Sequence, residues 1–226
     1  MNLKSSLAEL IGTFTLCFVG AGSIITDAHT GGAVGLLGIA LAHGLALAVA
    51  VSATMNVSGG QINPAITIGA ICAGKEKPAQ GVANIIGQCL GGIIAGGLLV
   101  ALFPVEAVKA VAVGTPMLGE GVSVGAGIAL EVIATFLLAM AVYGTAVGSK
   151  APQGMAGFGI GLTVTFLILA IGPLTGGAMN PARHLGTAVF GGQIGSIWIY
   201  WVGPVIGGIL GFLVCSRVFE NEDGKD

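Results

Sequence analysis

Six long apolar stretches, separated by short polar segments, dominate the pattern of this chain. They run approximately over Leu7–Ile25, Ala33–Met55, Val82–Phe103, Gly125–Val147, Met155–Pro173 and Ile194–Val218. Each is close to or above the roughly 20 residues that a helix needs to cross a bilayer. Nearly all charged residues lie between these stretches or in the tails, as is typical of membrane-spanning helices. The pattern therefore predicts six transmembrane helices.

Two shorter apolar runs, 66–73 and 185–190, each follow an Asn-Pro-Ala triplet. The triplets are Asn63-Pro64-Ala65 and Asn180-Pro181-Ala182. Asn is a preferred N-cap, and Pro is favoured at the first helical position because its missing N–H would have no intrahelical partner. Both runs end at glycines well short of a full span, which predicts two re-entrant half-helices. Glycine-rich backbone at membrane depth is tolerated only where protein buries it or where it lines a water-filled cavity.

Composition supports an integral membrane protein built from helices. The 226 residues are 54% hydrophobic and only 8% charged, and the mean hydropathy is +0.98. The 41 glycines and few aromatic residues favour helices in close contact over a transmembrane β-barrel. We therefore predict an all-α membrane protein.

Charge and cysteine content exclude several classes of partner. The net charge is −2, and no segment is basic enough to bind nucleic acid. The four cysteines lie in apolar runs without paired spacing, which predicts neither a metal site nor disulfides. We expect no cofactor, and no arrangement of nucleophile and base suggests an enzyme.

The two halves of the chain repeat. Glu9 and Glu131 each open a Glu-x-x-(Gly/Ala)-Thr-Phe segment, and Gly91-Gly92-Ile93 is answered by Gly207-Gly208-Ile209. Each half holds three spans, an odd number, so the second copy crosses the membrane in the opposite sense. The sequence predicts a single channel domain over 1–226, with an inverted 3+3 repeat of approximately 5–103 and 125–218. The half-helices then enter from opposite faces and their starts meet near the midplane.

The distribution of basic residues predicts the orientation. One side carries six basic residues, namely Lys4, Lys75, Lys77, Lys150, Arg217 and Lys225, whereas the other carries only Lys109 beside three acidic residues. The positive-inside rule then places both termini in the cytoplasm. We expect the host membrane to be the cell membrane.

The two half-helix starts, which meet near the midplane, predict a barrier to cations and protons. Two helix N-termini place roughly half a positive charge each at the centre of the pore. Asn63 and Asn180 can cap their helices and still offer amide donors that orient a passing water by its oxygen. Backbone acceptors would come from Gly59, Gly60, Gln61, Ile62, Gly176, Gly177, Ala178 and Met179. Two capped helices without a pore are the structural alternative.

Three charged residues lie at membrane depth. Exposing the Arg183 side chain to lipid at membrane depth would cost about 2.5–3.5 kcal/mol. We therefore expect it to face a cavity and to find acceptors. It can line the pore, brace loop carbonyls, or do both. For Glu9 and Glu131, the matched positions favour bracing of the half-helix loops over transport or proton relay.

Several motifs together resemble the major intrinsic proteins, the aquaporin and aquaglyceroporin family, over essentially the whole chain. They are Gly-Gly-Gln-Ile-Asn-Pro-Ala at 59–65, Gly-Gly-Ala-Met-Asn-Pro-Ala-Arg at 176–183, the paired Glu segments, Gln88-x-x-Gly91 and Gly203-Pro204-x-x-Gly207. The resemblance implies an hourglass fold and a homotetramer with one pore in each protomer. Water, small neutral solutes and membrane lipid are its implied partners. Small-residue faces pack helices closely, and spacing leaves open whether they lie within or between protomers; their glycines are Gly87, Gly91, Gly203, Gly207 and Gly211.

The resemblance also implies a selectivity filter made of His43, Ile168, Gly177 and Arg183. This set is similar to that of plant tonoplast intrinsic proteins, which are associated with water and, in some members, with ammonia or other small neutral solutes. His43 adds a polar group, Ile168 an apolar wall, and Gly177 leaves width where many family members have a mercury-sensitive cysteine. A histidine that only faces a neighbouring helix is the alternative for His43.

Other positions favour water over glycerol. Family glycerol channels usually have Asp after Asn-Pro-Ala-Arg and Lys four residues later, where this chain has His184 and Ala188. Two departures concern the pore wall, because water channels mostly have Ser or Thr at His184 and His at Gln61. The sequence predicts a passive water channel that also passes ammonia or a similar solute and excludes protons and ions. A glycerol or polyol facilitator, a coupled secondary transporter and a structural role at membrane junctions are the alternatives.

Overall fold

The computed structural model describes residues 1–152 and 154–220, and all secondary structure in this part of the chain is helical. Lys225, used above to predict orientation, lies outside the described residues. The helices are α1 (Leu3–His29), α2 (Gly35–Ser58), α3 (Pro64–Cys72), α4 (Pro78–Leu102), α5 (Val105–Ala110), α6 (Val124–Val142), α7 (Ala156–Thr175), α8 (Pro181–Gly191) and α9 (Ile199–Val218). Six of them are long and apolar enough to cross a membrane. The prediction of six spans is confirmed.

The half-helices α3 and α8 begin where the sequence predicts. The Asn63 side chain accepts a hydrogen bond from the Ala65 N–H at 2.9 Å, and Asn180 accepts from the Ala182 N–H at 3.0 Å. Each Pro occupies the first turn. With 9 and 11 residues, both helices are too short to span a bilayer.

Helix α5 and the turn after it were not predicted. Pro104 precedes α5, and Ala107 and Val108 bury their side chains against Ile25 and Leu99. The segment is only 6 residues long, so its apolar pattern is too brief to separate from a loop by periodicity. It holds the connection between the two halves of the chain against α1 and α4.

Close contacts between long helices depend on glycines that lie within the protomer. A Cβ atom at Gly91 of α4 would overlap the Leu10 carbonyl of α1, and one at Gly207 of α9 would overlap the Val132 carbonyl of α6. The same holds for the other glycines of these faces, Gly87, Gly203 and Gly211. The question that spacing left open is therefore settled: these faces pack α1 on α4 and α6 on α9.

Each half-helix packs on the last span of the other half. Gly208 of α9 faces the backbone of Ala65 in α3, and Gly92 of α4 faces the backbone of Ala182 in α8. Glycine allows backbones to approach this closely because it has no side chain. Because each half-helix packs on the other half of the chain, the starts of α3 and α8 come together in the middle of the bundle.

Candidate functional site

A central cavity runs past the starts of both half-helices. The space between its wall atoms, together with its openings to solvent, is about 460 Å³. Its polar wall includes His43, Gln61, Asn63, Asn180 and Arg183. Apolar residues of α1, α2, α6 and α7 also line it, among them Leu16, Leu47, Leu138, Val164 and Ile168. A lumen lined by both polar and apolar groups suits a small polar solute.

The two half-helix loops are joined by a reciprocal pair of hydrogen bonds. The Asn63 amide donates to the Met179 carbonyl at 2.8 Å, and the Asn180 amide donates to the Ile62 carbonyl at 2.9 Å. The sequence had assigned these amides to passing molecules only. Because a side-chain amide has two N–H groups, each asparagine keeps one for the lumen.

The structure brings five of the eight predicted acceptor residues to the cavity wall: Gly60, Gln61, Gly177, Ala178 and Met179. The other three lie elsewhere. Gly59 lines a separate cavity at the Lys75 end of the molecule, and Gly176 packs on Pro116. Ile62 is fully buried, and its carbonyl accepts from Thr13 as well as from Asn180.

The carboxylate of Glu9 is fully buried and holds the first half-helix loop. One oxygen accepts from the Ser58 hydroxyl at 2.6 Å and from the Gln61 N–H at 2.9 Å. The other accepts from the Ile62 N–H and from the Gln88 amide at 2.7 Å. Hydrogen bonds from these four donors offset the free-energy cost of burying the carboxylate. Sequence spacing had not assigned Ser58 or Gln88 to this group.

Glu131 holds the second loop in a corresponding way. Its carboxylate accepts from the Thr175 hydroxyl at 2.7 Å and from the N–H groups of Ala178 at 2.9 Å and Met179 at 2.7 Å. The Tyr200 hydroxyl adds a bond to the Thr175 carbonyl at 2.9 Å. Ser58 and Thr175 each precede a Gly-Gly pair in the two repeats, and this matched position was the signal that could have identified them.

Arg183 is 2% exposed and both lines the cavity and braces a loop. Its Nη1 donates to the Gly114 carbonyl at 2.8 Å. Its Nη2 lies 3.1 Å from Nε2 of His43. The sequence had allowed either role or both, and the side chain makes both kinds of contact. The Gly114 carbonyl, in the connection between the two halves, was not predicted.

The two hydrogen bonds of His43 define its tautomer. Nδ1 lies 2.8 Å from the Ile39 carbonyl, which can only accept, so Nδ1 carries the proton. Nε2 faces a guanidinium, which can only donate, so Nε2 is the acceptor. The ring is therefore neutral in this arrangement. It does face a neighbour, as the alternative for His43 proposed, and it lines the cavity as well.

The two unusual residues, His184 and Gln61, lie in different environments. His184 is fully buried, stacks on the Tyr200 ring at 4.1 Å and is not among the residues that line the cavity. Gln61 does line it. The Gln61 amide donates to Glu76 at 2.7 Å, and its oxygen accepts from Thr67 at 2.6 Å. Only Gln61 therefore alters the wall.

Within residues 1–152 and 154–220, no group of three or more His, Cys, Asp or Glu residues could hold a metal ion. The polar groups of the cavity are instead neutral side chains, backbone atoms and one guanidinium. Such a site can orient and pass a solute by hydrogen bonding.

Comparison with known proteins identifies similar chains. A family model described as "Major intrinsic protein" matches residues 1–215. Aquaporin TIP2-3 of Arabidopsis thaliana is 41% identical over 227 residues, covering 96% of this chain and 88% of the relative. Aquaporin TIP4-4 of Zea mays is 40% identical over 232 residues, with coverages of 99% and 90%.

A solved structure shares the fold. The X-ray structure of the aquaglyceroporin from Plasmodium falciparum matches with a TM-score of 0.86 at 20% identity, covering 96% of this chain and 97% of that one. At this identity the match shows the architecture alone. It agrees with the six spans and two half-helices described above.

Proposed function

We propose a function from one established premise: this chain belongs to the major intrinsic protein family. Members of the family are channels and not enzymes, and the aquaporin relatives support a water channel. The proposal is a passive channel that conducts water, also passes ammonia, and excludes protons and ions.

One observation carries the proposal. His43, Ile168, Gly177 and Arg183 line the same cavity as the two half-helix starts. Because Gly177 has no side chain, it leaves the lumen open beside Ile168. A neutral molecule of the size of water that both donates and accepts hydrogen bonds suits this wall. Ammonia meets these requirements as well as water does.

Exclusion of ions and protons follows from the charges around the lumen. The partial positive charges of α3 and α8 disfavour cations at the middle of the pore. The second amide hydrogens of Asn63 and Asn180 would bind the oxygen of a water, which then donates away from the centre on both sides. Such a water cannot receive and pass on a proton there. Arg183 adds a full positive charge.

The hydrogen bonds of the two membrane-depth carboxylates argue against the transporter alternative. A coupled transporter needs ionisable groups that can bind and release its coupling ion. Glu9 and Glu131 instead accept hydrogen bonds from the loops that they hold, and neither lines the cavity. A passive channel needs only that these groups keep the loops in place.

Stopped-flow measurements on one batch of proteoliposomes test the proposal. Osmotic water permeability and ammonia uptake should rise above empty liposomes without ion current, whereas glycerol and urea should pass much more slowly. Val164→Trp, which fills the lumen from α7, is the matched control and should abolish both fluxes. Rapid glycerol flux would favour the polyol facilitator, and gradient-driven uptake would favour the transporter. Negligible water flux would favour a structural role.

Assembly, domain organisation and location complete the proposal. We propose a homotetramer in which repeats 5–103 and 125–218 form one channel domain with its own pore, and cytoplasmic termini. The chain is a multi-pass membrane protein. The cell membrane stays a prediction, and the TIP-type relatives favour a vacuolar membrane instead. Native mass determination would test the tetramer, and protease access to tagged termini would test the orientation.

A further inference from the structure

Helix α1 borders both the cavity and the ring of His43. Leu16 lines the cavity, and Gly20 follows four residues later on the same face of the helix. Gly20 is buried. A Cβ atom there would lie 2.5 Å from Nε2 and 2.9 Å from Cγ of His43, and closer still to Cδ2. The imidazole therefore occupies the space that any side chain at position 20 would need.

The ring of His43 has little freedom to yield. Nδ1 is tied to the Ile39 carbonyl of its own helix at 2.8 Å, and Nε2 is tied to Arg183 at 3.1 Å. A side chain at position 20 would push the ring away from α1. Because His43 lines the cavity, that displacement would narrow the lumen and pull Nε2 off the guanidinium.

We propose that Gly20 is a positioning residue that determines specificity through His43. Its missing side chain leaves a recess in α1 that receives the imidazole edge, keeps the ring out of the lumen and holds Nε2 on Arg183. This inference rests on the proposed function of His43 in the filter.

A double-mutant cycle distinguishes this role from ordinary helix packing. Water and ammonia permeabilities are measured for the native protein, Gly20→Ala, His43→Ala and the double variant. Gly20→Ala should lower both permeabilities several-fold and change their ratio, because the displaced ring narrows the lumen and Nε2 no longer faces the guanidinium. In the His43→Ala background the same substitution should change neither, because no ring remains to be displaced.

Gly22→Ala is the matched control. Gly22 lies on the same helix, and its Cβ would meet the side chains of Phe103 at 3.3 Å and Leu99 at 3.4 Å, outside the filter. It should leave the ammonia-to-water ratio unchanged. If Gly22→Ala changed the ratio as much as Gly20→Ala, the proposal would be wrong, because any methyl group added to α1 would then have the same effect.

The remaining outcomes are equally decisive. If Gly20→Ala leaves both permeabilities unchanged, the proposed role of Gly20 is wrong and the proposed channel stands. The same holds if Gly20→Ala lowers the permeabilities equally with His43 present and with His43 replaced by Ala. If His43→Ala changes neither permeability nor their ratio, the filter and this inference both fail. If Gly20→Ala assembles poorly, the double variant should recover normal yield, since the overlap is removed. Continued poor assembly would contradict the proposal.

Discussion

The Nη2 atom of Arg183 lies 3.1 Å from Nε2 of His43, and this contact joins half-helix α8 to span α2 at the cavity wall. The histidine is neutral there, because its other nitrogen donates to Ile39. Arg183 is the one charged side chain among the described residues that line the cavity. Its charge is therefore not compensated by a carboxylate at the wall, and a cation entering the constriction meets it directly.

Replacing Arg183 with Ala should widen the constriction and weaken the exclusion of cations. Proton and sodium leak through proteoliposomes, measured with a pH dye and by ion flux, should rise above the native level. The Gly114 carbonyl would also lose its donor, at a cost of about 1–3 kcal/mol in stability. Arg183→Lys keeps the charge and is the control. If Arg183→Ala leaked no more than the native protein, its role as a cation barrier would be wrong.

Replacing His43 with Phe should narrow the lumen and remove the acceptor that faces Arg183. Ammonia permeability should then fall more than water permeability, because the lumen is narrower and the contact between the ring and Arg183 is lost. Parallel stopped-flow assays give the ratio. His43→Ala, which removes the ring without narrowing the pore, should instead raise both permeabilities. A ratio that stays constant across the native protein and both variants would mean that His43 does not select the solute.

Local signals in the sequence were sufficient to locate the starts of the two half-helices. Asn63 and Asn180 cap α3 and α8 as predicted, because capping depends on neighbouring residues alone. The reciprocal bonds from these asparagines to Met179 and Ile62 were not predicted. They depend on how the two loops meet, and no spacing within either loop encodes that.

The partner of Arg183 shows the same limit. The arginine was expected to find acceptors, but the Gly114 carbonyl lies 69 residues away in sequence. It is presented by a turn in which Val113 has a φ of 62°, a left-handed conformation that favours glycine. A β-branched residue gives no sequence signal for such a turn, so its position emerges only from the packed structure.

The ion pair between Lys75 and Glu220 should make a small, pH-dependent contribution to stability. The ammonium lowers the pKa of Glu220, so this contribution is present above the ordinary carboxyl value of about 4.3 and is lost as pH falls through the lowered pKa. The carboxylate raises the pKa of Lys75, so it is also lost when pH rises through that value. At pH 7 in low salt, the unfolding temperature of Glu220→Gln should be slightly lower than that of the native protein.

Two comparisons check that the difference arises from the pair. High salt should remove it, because exposed charges are screened. Glu106→Gln, which breaks the more exposed contact with Lys109 at 3.6 Å, should have a smaller effect. A difference between Glu220→Gln and native that survives below the pKa of Glu220 would point to another cause.

Replacing Glu131 with Gln should loosen the second half-helix loop. The carboxylate accepts three hydrogen bonds from this loop, and an amide has only one oxygen to offer. Hydrogen bonds to charged groups contribute about 1.5–3 kcal/mol each, so a loss of this order is expected. Thermal unfolding in detergent measures the loss, and Glu9→Gln should cause a similar one in the first loop. Native stability together with native water flux would contradict the bracing role.

Replacing Gly208 with Ala should displace α3 from α9. The new Cβ would lie 2.5 Å from the Ala65 carbonyl oxygen, and backbone cannot yield as a flexible side chain does. Overpacking of this kind costs about 1–3 kcal/mol. Because Ala65 follows Asn63 by two residues, water permeability should fall together with the unfolding temperature. Gly125→Ala in α6 is the control, since its Cβ would meet nothing within 4 Å and alanine is the better helix former. Equal behaviour of the two variants would mean that the α3–α9 contact tolerates a side chain.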